Sequence, residues 1–238
     1  MAIFVRSLDP KLMPLHPTWR LDTKGKSPMT HVSCSSLLAL HAIRLGGFVG
    51  TQAVADRFHL PLGLAESHIR DFRERGWISH FRFATDAGWS LTARGRGENE
   101  QLLAGELAEC GAKSSVEEVY RMFLPLNERL VKACTAWQLT ILPDGGMRDN
   151  DHDDADHDAR ILAELESLAQ ELVPMTTRLT EHLARFSGYD TRFASALSRA
   201  VCDPEMIVGT TTDSAHRVWF ELHEDLIATL GIDRGAAP

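Results

Sequence analysis

The densest run of chemically capable groups is Asp149-Asn-Asp-His-Asp-Asp-Ala-Asp-His-Asp158. Carboxylates and imidazoles gathered this closely suit a bound cation or a metal-activated water. The spacing points elsewhere. In an EF-hand frame begun at Asp149, position 6 is Asp154 where glycine is required, and position 12 is Arg160 where a bidentate glutamate is required. His152 and His157 stand five apart, so they do not share a helical face as an i, i+4 zinc pair does. Acidic residues ahead of a helix are favoured by its N-terminal dipole. The run is read that way, with no metal and no cofactor expected.

A second constellation is His216, Phe220 and His223, stacked at i, i+4, i+7 on the last helical stretch beside Glu224. With Asn127 and Trp137 from an earlier helix, these residues are the candidates for an effector pocket, against the plainer reading of core histidines. A third lies in residues 64–75, where Ala65, Ile69 and Phe72 repeat at helical spacing. With that stripe inward, Glu66, Ser67 and Arg70 stand outward near the helix start, where a recognition helix meets base edges. Arginine can pair with guanine, and serine is permissive. Thr51 and Gln52, opening the preceding short helix, suit phosphate contact through backbone N–H groups. Arg73, Arg75 and Arg82 add positive charge. The chain has no Gly-x-Ser-x-Gly, no P-loop and no dinucleotide glycine run, so no enzyme is expected.

The elements that must carry these residues follow from pattern. Residues 36–46 read as an apolar helix stopped by Gly46-Gly47. Thr51 reads as the N-cap of a helix through Phe58. Leu60-Pro-Leu-Gly63 reads as a turn into the third helix, which Gly76 ends as a C′ glycine. Residues 77–83 and 89–91 read as two strands around a Thr85-Asp-Ala-Gly88 turn. Three helices and a two-stranded wing make a winged helix-turn-helix. Phe72-Arg-Glu-Arg-Gly76-Trp-Ile78, followed by Leu91-Thr-Ala-Arg-Gly95, resembles the signature of MarR-type winged-helix transcriptional regulators, over about a quarter of the chain. The sequence departs from that family where Asp86 is followed by Ala-Gly-Trp, and where Glu66 and Asp71 accompany the arginines. The resemblance implies a DNA-binding regulator.

The second half is helical by period. Residues 98–109 continue out of the wing. Ser115-Val-Glu-Glu118 reads as a capping box opening a long helix, and Leu142 to Gly146 as a turn. Residues 158–186 form a second long helix that Pro174 kinks or divides, and a shorter helix covers 193–201. The last runs from an Asp213 or Ser214 cap to Gly231. Its apolar residues span more circumference than one bundle face needs, which suggests a homodimer. The fold class is mainly α. It comprises an N-terminal arm at 1–35, a winged-helix DNA-binding domain with trailing helix at 36–110, and an all-helical bundle for dimerisation and effector binding at 111–238.

Charge supports the division. Residues 1–97 hold 13 Lys+Arg against 7 Asp+Glu, and residues 98–238 hold 12 against 26, giving +6 and −14 of the overall −8. A basic half joined to an acidic one is a hint of a nucleic-acid module. The four cysteines lie far apart, without a Cys-x-x-Cys pair, and read as thiols of a reducing compartment. With no long apolar run, the protein is expected in the cytoplasm and off the membrane. Its expected partners are double-stranded DNA, a second copy of itself and a small-molecule effector. A metal-dependent enzyme using the Asp/His run and a winged-helix adaptor for protein contact are the alternatives.

Overall fold

The computed structural model describes residues 30–83, 86–141, 145–210 and 213–232. The chain is mainly helical, with two small antiparallel hairpins among these residues. Helix α1 (Ser35–Gly46) ends at Gly47, whose φ of 70° is left-handed and suits glycine. Helices α2 (Thr51–Arg57) and α3 (Leu62–Glu74) follow, then strands β1 (Ile78–Phe83) and β2 (Asp86–Leu91), paired from Ile78–Leu91 to Phe83–Asp86. Leu40, Ile43, Val54, Ala65, Ile69 and Phe72 close one core with Trp77 and Ile78.

Three local expectations change. Gly50, not Thr51, caps α2, because the Thr51 hydroxyl instead accepts the Trp89 indole N–H at 3.1 Å. Helix α3 starts at Leu62, directly after Pro61, whose fixed φ of −56° pre-sets the entry, so Leu62 and Gly63 belong to the helix and not to a turn. Asp86, Ala87 and Gly88 lie in β2 and not in a turn; Thr85 lies outside the described residues. At Gly88 a Cβ would stand 2.8 Å from the Phe48 ring, which packs over the strand there.

The Leu91-Thr-Ala-Arg-Gly95 segment is a clasp. Thr92 caps helix α4 (Ala93–Glu109) by accepting the Gly95 N–H at 3.1 Å, and its hydroxyl donates to the Gly76 carbonyl at 2.8 Å. Its own N–H bonds the Trp77 carbonyl at 2.9 Å. A Cβ on Gly95 would come within 1.9 Å of that carbonyl oxygen, so only glycine lets α4 approach the end of α3 this closely.

Helix α5 (Lys113–Gln138) opens on Ala112, which leaves Ser115 and Glu118 inside the helix. The expected capping box is not formed, and Glu118 pairs with Arg178 of helix α6 (Ala155–Thr180). Pro125 and Pro174 both sit inside long helices and face solvent, where water can satisfy the carbonyls they free. Pro174 therefore does not divide α6, which ends instead at Thr180 before a 3-10 turn at Ala184–Phe186. The second half is not wholly helical either. Strands β3 (Leu139–Ile141) and β4 (Met147–Asp149) pair between α5 and α6, and most of the expected Leu142–Gly146 turn lies outside the described residues. Helices α7 (Tyr189–Ala200), α8 (Glu205–Val208) and α9 (Ala215–Leu230) complete the chain. Ser214 caps α9 by accepting the Arg217 N–H, and Gly231 closes it at φ 65°.

Helices α5, α6, α7 and α9 enclose the larger core around Phe123, Leu165, Leu168, Phe193 and Trp219. Helix α9 also packs on α1 and α4, so its broad apolar circumference is used inside the chain and by itself gives no ground for a dimer. All four cysteines are free thiols, and burial pushes that of Cys134 up to about 12. Among the described residues no helix is long and apolar enough to cross a membrane.

Between the two cores lies a polar seam. The fully buried Arg185 guanidinium donates to Asp225, to Glu106 at 3.0 Å and to Thr229 at 2.7 Å. Asp225 also accepts from Tyr189 at 3.0 Å, and His41 Nε2 stands 3.1 Å from it. Arg44 bonds Glu224 and Glu100, each at 2.9 Å, and Arg57 bonds Glu221 at 3.1 Å. The arm residue His31 bridges to Leu183 and reaches Glu106 at 3.4 Å. Burial alone would raise the Asp225 carboxyl, but Arg185 and then His41 hold it well below the usual carboxylate range. Burial raises the Tyr189 hydroxyl.

Replacing Asp225 with Asn leaves Arg185 under-compensated in the interior and should cost about 3–5 kcal/mol in urea unfolding at pH 7. The wild-type carboxylate is depressed, so its contribution is complete above the unfolded value of about 3.9 and is lost as pH falls. The gap between the two proteins should therefore narrow in acid. Gly95→Ala should cost about 1–3 kcal/mol by overpacking, read as a lowered urea midpoint at unchanged slope.

Candidate nucleic-acid interface

Helix α3 buries Ala65, Ile69 and Phe72 and turns Glu66, Ser67, Arg70 and Arg73 to solvent. Arg70 and Arg73 stand outside the ion pairs of the described residues. Arg75 does not: it is held by Asp71 at 2.9 Å and lies 4.9 Å over the Trp77 ring, which fixes it at the helix end. His68 is committed as well, to the Ser35 hydroxyl at 2.9 Å and in a stack with Phe72. The outward face thus offers two uncommitted guanidiniums, a hydroxyl and a carboxylate, the set needed for hydrogen bonds to base edges and phosphates.

Arg82 is exposed on β1 opposite Ala87, within the hairpin that follows α3. Gln52 is exposed but donates to Asp56 at 2.7 Å, while Thr51 is tied to Trp89. Both stay at the start of α2, yet their side chains serve the fold. Leu62 and Leu64 are 42% and 38% exposed at the start of α3, and Phe81 is 44% exposed on the hairpin. Sequence reasoning missed these as contact candidates because it puts Leu62 in a turn and opens the helix only at Leu64. Pro61 immediately before them was the available signal for an earlier helix start.

The effector candidates separate. Asn127 accepts the Trp219 indole N–H at 3.1 Å, and His223 stacks on Tyr120 and tilts against Phe123, so both sit where α5 meets α9, while His216 and Phe220 are exposed on α9. Trp137 lies ten residues further along α5, where it packs against His152 at 4.6 Å. A cleft of about 580 Å³ opens elsewhere, between α1–α2 and α7–α9. Leu45 and Val49 form its apolar wall, while Arg57, Thr191, Arg192 and Glu221 form its polar one. There Glu221 accepts from Arg57 at 3.1 Å and Arg192 at 2.8 Å. Burial disfavours the Arg192 charge, but Asp213 and Glu221 outweigh it and raise its pKa.

The acidic run is spent on local structure. Asp154 caps α6 by accepting the His157 N–H at 2.9 Å, Asp158 accepts from His152 at 2.9 Å, and Asp151 pairs with Arg148 at 2.8 Å. Asn150 ties the segment to the Trp137 carbonyl at 3.1 Å, and His157 Nε2 reaches that of Ala136 at 3.2 Å. Among the described residues no group of three His, Cys, Asp or Glu side chains is arranged to hold a metal ion.

Comparison of the chain with protein-family models, with curated proteins and with solved structures finds no match. The MarR-type resemblance therefore rests on its motif residues alone.

The cap role of Asp154 is measurable. Asp154→Ala should cost about 0.5–2 kcal/mol in thermal unfolding, with the loss unchanged by added zinc, calcium or chelator.

Proposed function

We propose that residues 35–109 are a winged helix-turn-helix and that the chain is a duplex-DNA-binding transcriptional regulator, working in the cytoplasm by binding and not by turnover. The observation that carries this is helix α3. Its apolar stripe is consumed by the core, and its outward face presents Ser67, Arg70 and Arg73 without intramolecular ion pairs. The β1–β2 hairpin with Arg82 follows immediately, and the basic excess falls on this half of the chain. An α-helix fits the major groove of B-DNA. With α3 in that groove, Arg70 reaches bases, and Arg73 and Arg82 meet the backbone. The order of the clasp residues Thr92 and Gly95 after Gly76 adds the family resemblance.

Effector sensing, on this reading, belongs to the cleft between α2 and α7–α9 and not to the α5–α9 flank. A ligand there would touch Arg57 of the DNA-binding half and Glu221 of the bundle together, and so bias one half against the other.

The test is a duplex selected from a random pool, titrated by fluorescence anisotropy at several salt concentrations. Affinity should fall with salt at a log–log slope of about −0.9 per neutralised phosphate. Arg70→Ala should lose about 1–3 kcal/mol on the selected duplex and less on scrambled DNA, whereas Arg73→Ala should weaken both alike. Failure to select any duplex, with binding flat in salt, would overturn the proposal.

A further inference from the structure

Helix α5 leaves one long face uncovered. Its buried stripe runs through Val119, Phe123, Leu126 and Leu130. On the opposite side Glu117, Arg121, Leu124, Glu128, Val131 and Lys132 follow one another at helical spacing, all exposed. Leu124 and Val131 are 39% and 53% exposed, and Phe220, on the adjoining flank of α9, is 45% exposed. Arg121, Glu128 and Lys132 enter no ion pair among the described residues, although each has an opposite charge four residues away on its own helix. Glu117 meets only Lys113, loosely, at 3.8 Å.

The order of these charges is informative. Along α5 the signs run negative at 117, positive at 121, negative at 128 and positive at 132. Read backwards, every sign inverts. A second α5 laid antiparallel, with a two-fold axis between Leu124 and Pro125, therefore sets Arg121 against the partner's Glu128, and Glu117 against the partner's Lys132. A parallel copy in register would set like against like. Each pair occurs twice in an isologous contact, on either side of an apolar centre made by Leu124 and Pro125, with Val131 and Phe220 flanking it.

We propose that this face is where a second copy of the chain docks, α5 antiparallel to α5. The inference rests on charge order and exposed apolar side chains, and it deepens the regulator reading by naming the partner surface. A two-fold pair would carry two α3 helices to the half-sites of a palindromic operator. One helix pair with a neighbouring flank is a modest interface, so the dimer is expected to dissociate in the micromolar range.

Sedimentation velocity on the full chain, without DNA, tests it. Wild type should shift with concentration from the 26.4 kDa monomer to twice that mass. Arg121→Glu and Glu128→Arg, each placing like charges in contact, should weaken association by about tenfold or more. The double variant R121E/E128R restores complementarity and should recover most of the loss. A strictly monomeric wild type, a dimer indifferent to either reversal, or a double variant no better than the singles would each overturn the proposal. The last two would move the contact to another surface. R121E should still bind a duplex carrying one half-site, so loss of the dimer is separable from loss of DNA recognition.

Discussion

The buried pairing of Arg185 with Asp225 is the constraint on which the rest of the molecule depends. Taking two charges out of water is costly, and their attraction repays that only when the remaining hydrogen-bonding capacity is filled. Here each Arg185 nitrogen has a partner, and the pair draws on several elements. Glu106 comes from α4, Tyr189 from α7 and Thr229 from α9, while His41 of α1 adds its ring at 3.1 Å from Asp225. A guanidinium presents its donors in a rigid fork, so these helices are fixed in angle and depth as well as in proximity. Apolar contact alone, supplied at the same seam by Leu37, Leu103 and Ala228, would tolerate sliding. The polar seam does not.

The residues that resemble a known regulator family have structural work of their own. Gly76 takes a left-handed turn that ends α3, Thr92 returns its hydroxyl to that turn, and Gly95 yields space to the Trp77 carbonyl. These constraints follow from joining a helix, a hairpin and a second helix closely. They explain why such a pattern would mark a fold without marking a ligand. The proposal of DNA binding rests on α3 instead, where Arg70 and Arg73 are exposed and enter no ion pair among the described residues.

Much of this was legible in the sequence because it is local. Glycine punctuation, the Ala65–Ile69–Phe72 stripe and the Ser214 cap each depend on neighbours within a few residues, and the elements they mark are present. What escaped is short or distant. Three-residue strands such as Leu139–Ile141 carry too little alternation to separate from a helix tail, and the four-residue α8 too little period. Glu221, Glu224 and Asp225 are buried against arginines and a histidine as many as 184 positions away in sequence, the separation of His41 and Asp225. No window of residues contains that information. The Asn127–Trp137 grouping failed for a related reason. A helical wheel gives angle but not height, and ten residues of helix separate the two by about 15 Å.

The seam also limits which exchanges of its parts the chain could survive. In this chain a crossover between Glu109 and Lys113 would deprive His41, Arg44 and Arg57 of their partners in the bundle, Arg44 keeping only Glu100, and would leave the old bundle with Glu221, Glu224 and Asp225 facing a stranger. Neither half could accept a substitute that did not already carry matching charges at matching heights. A change of charge on one side of the seam therefore calls for a matching change on the other.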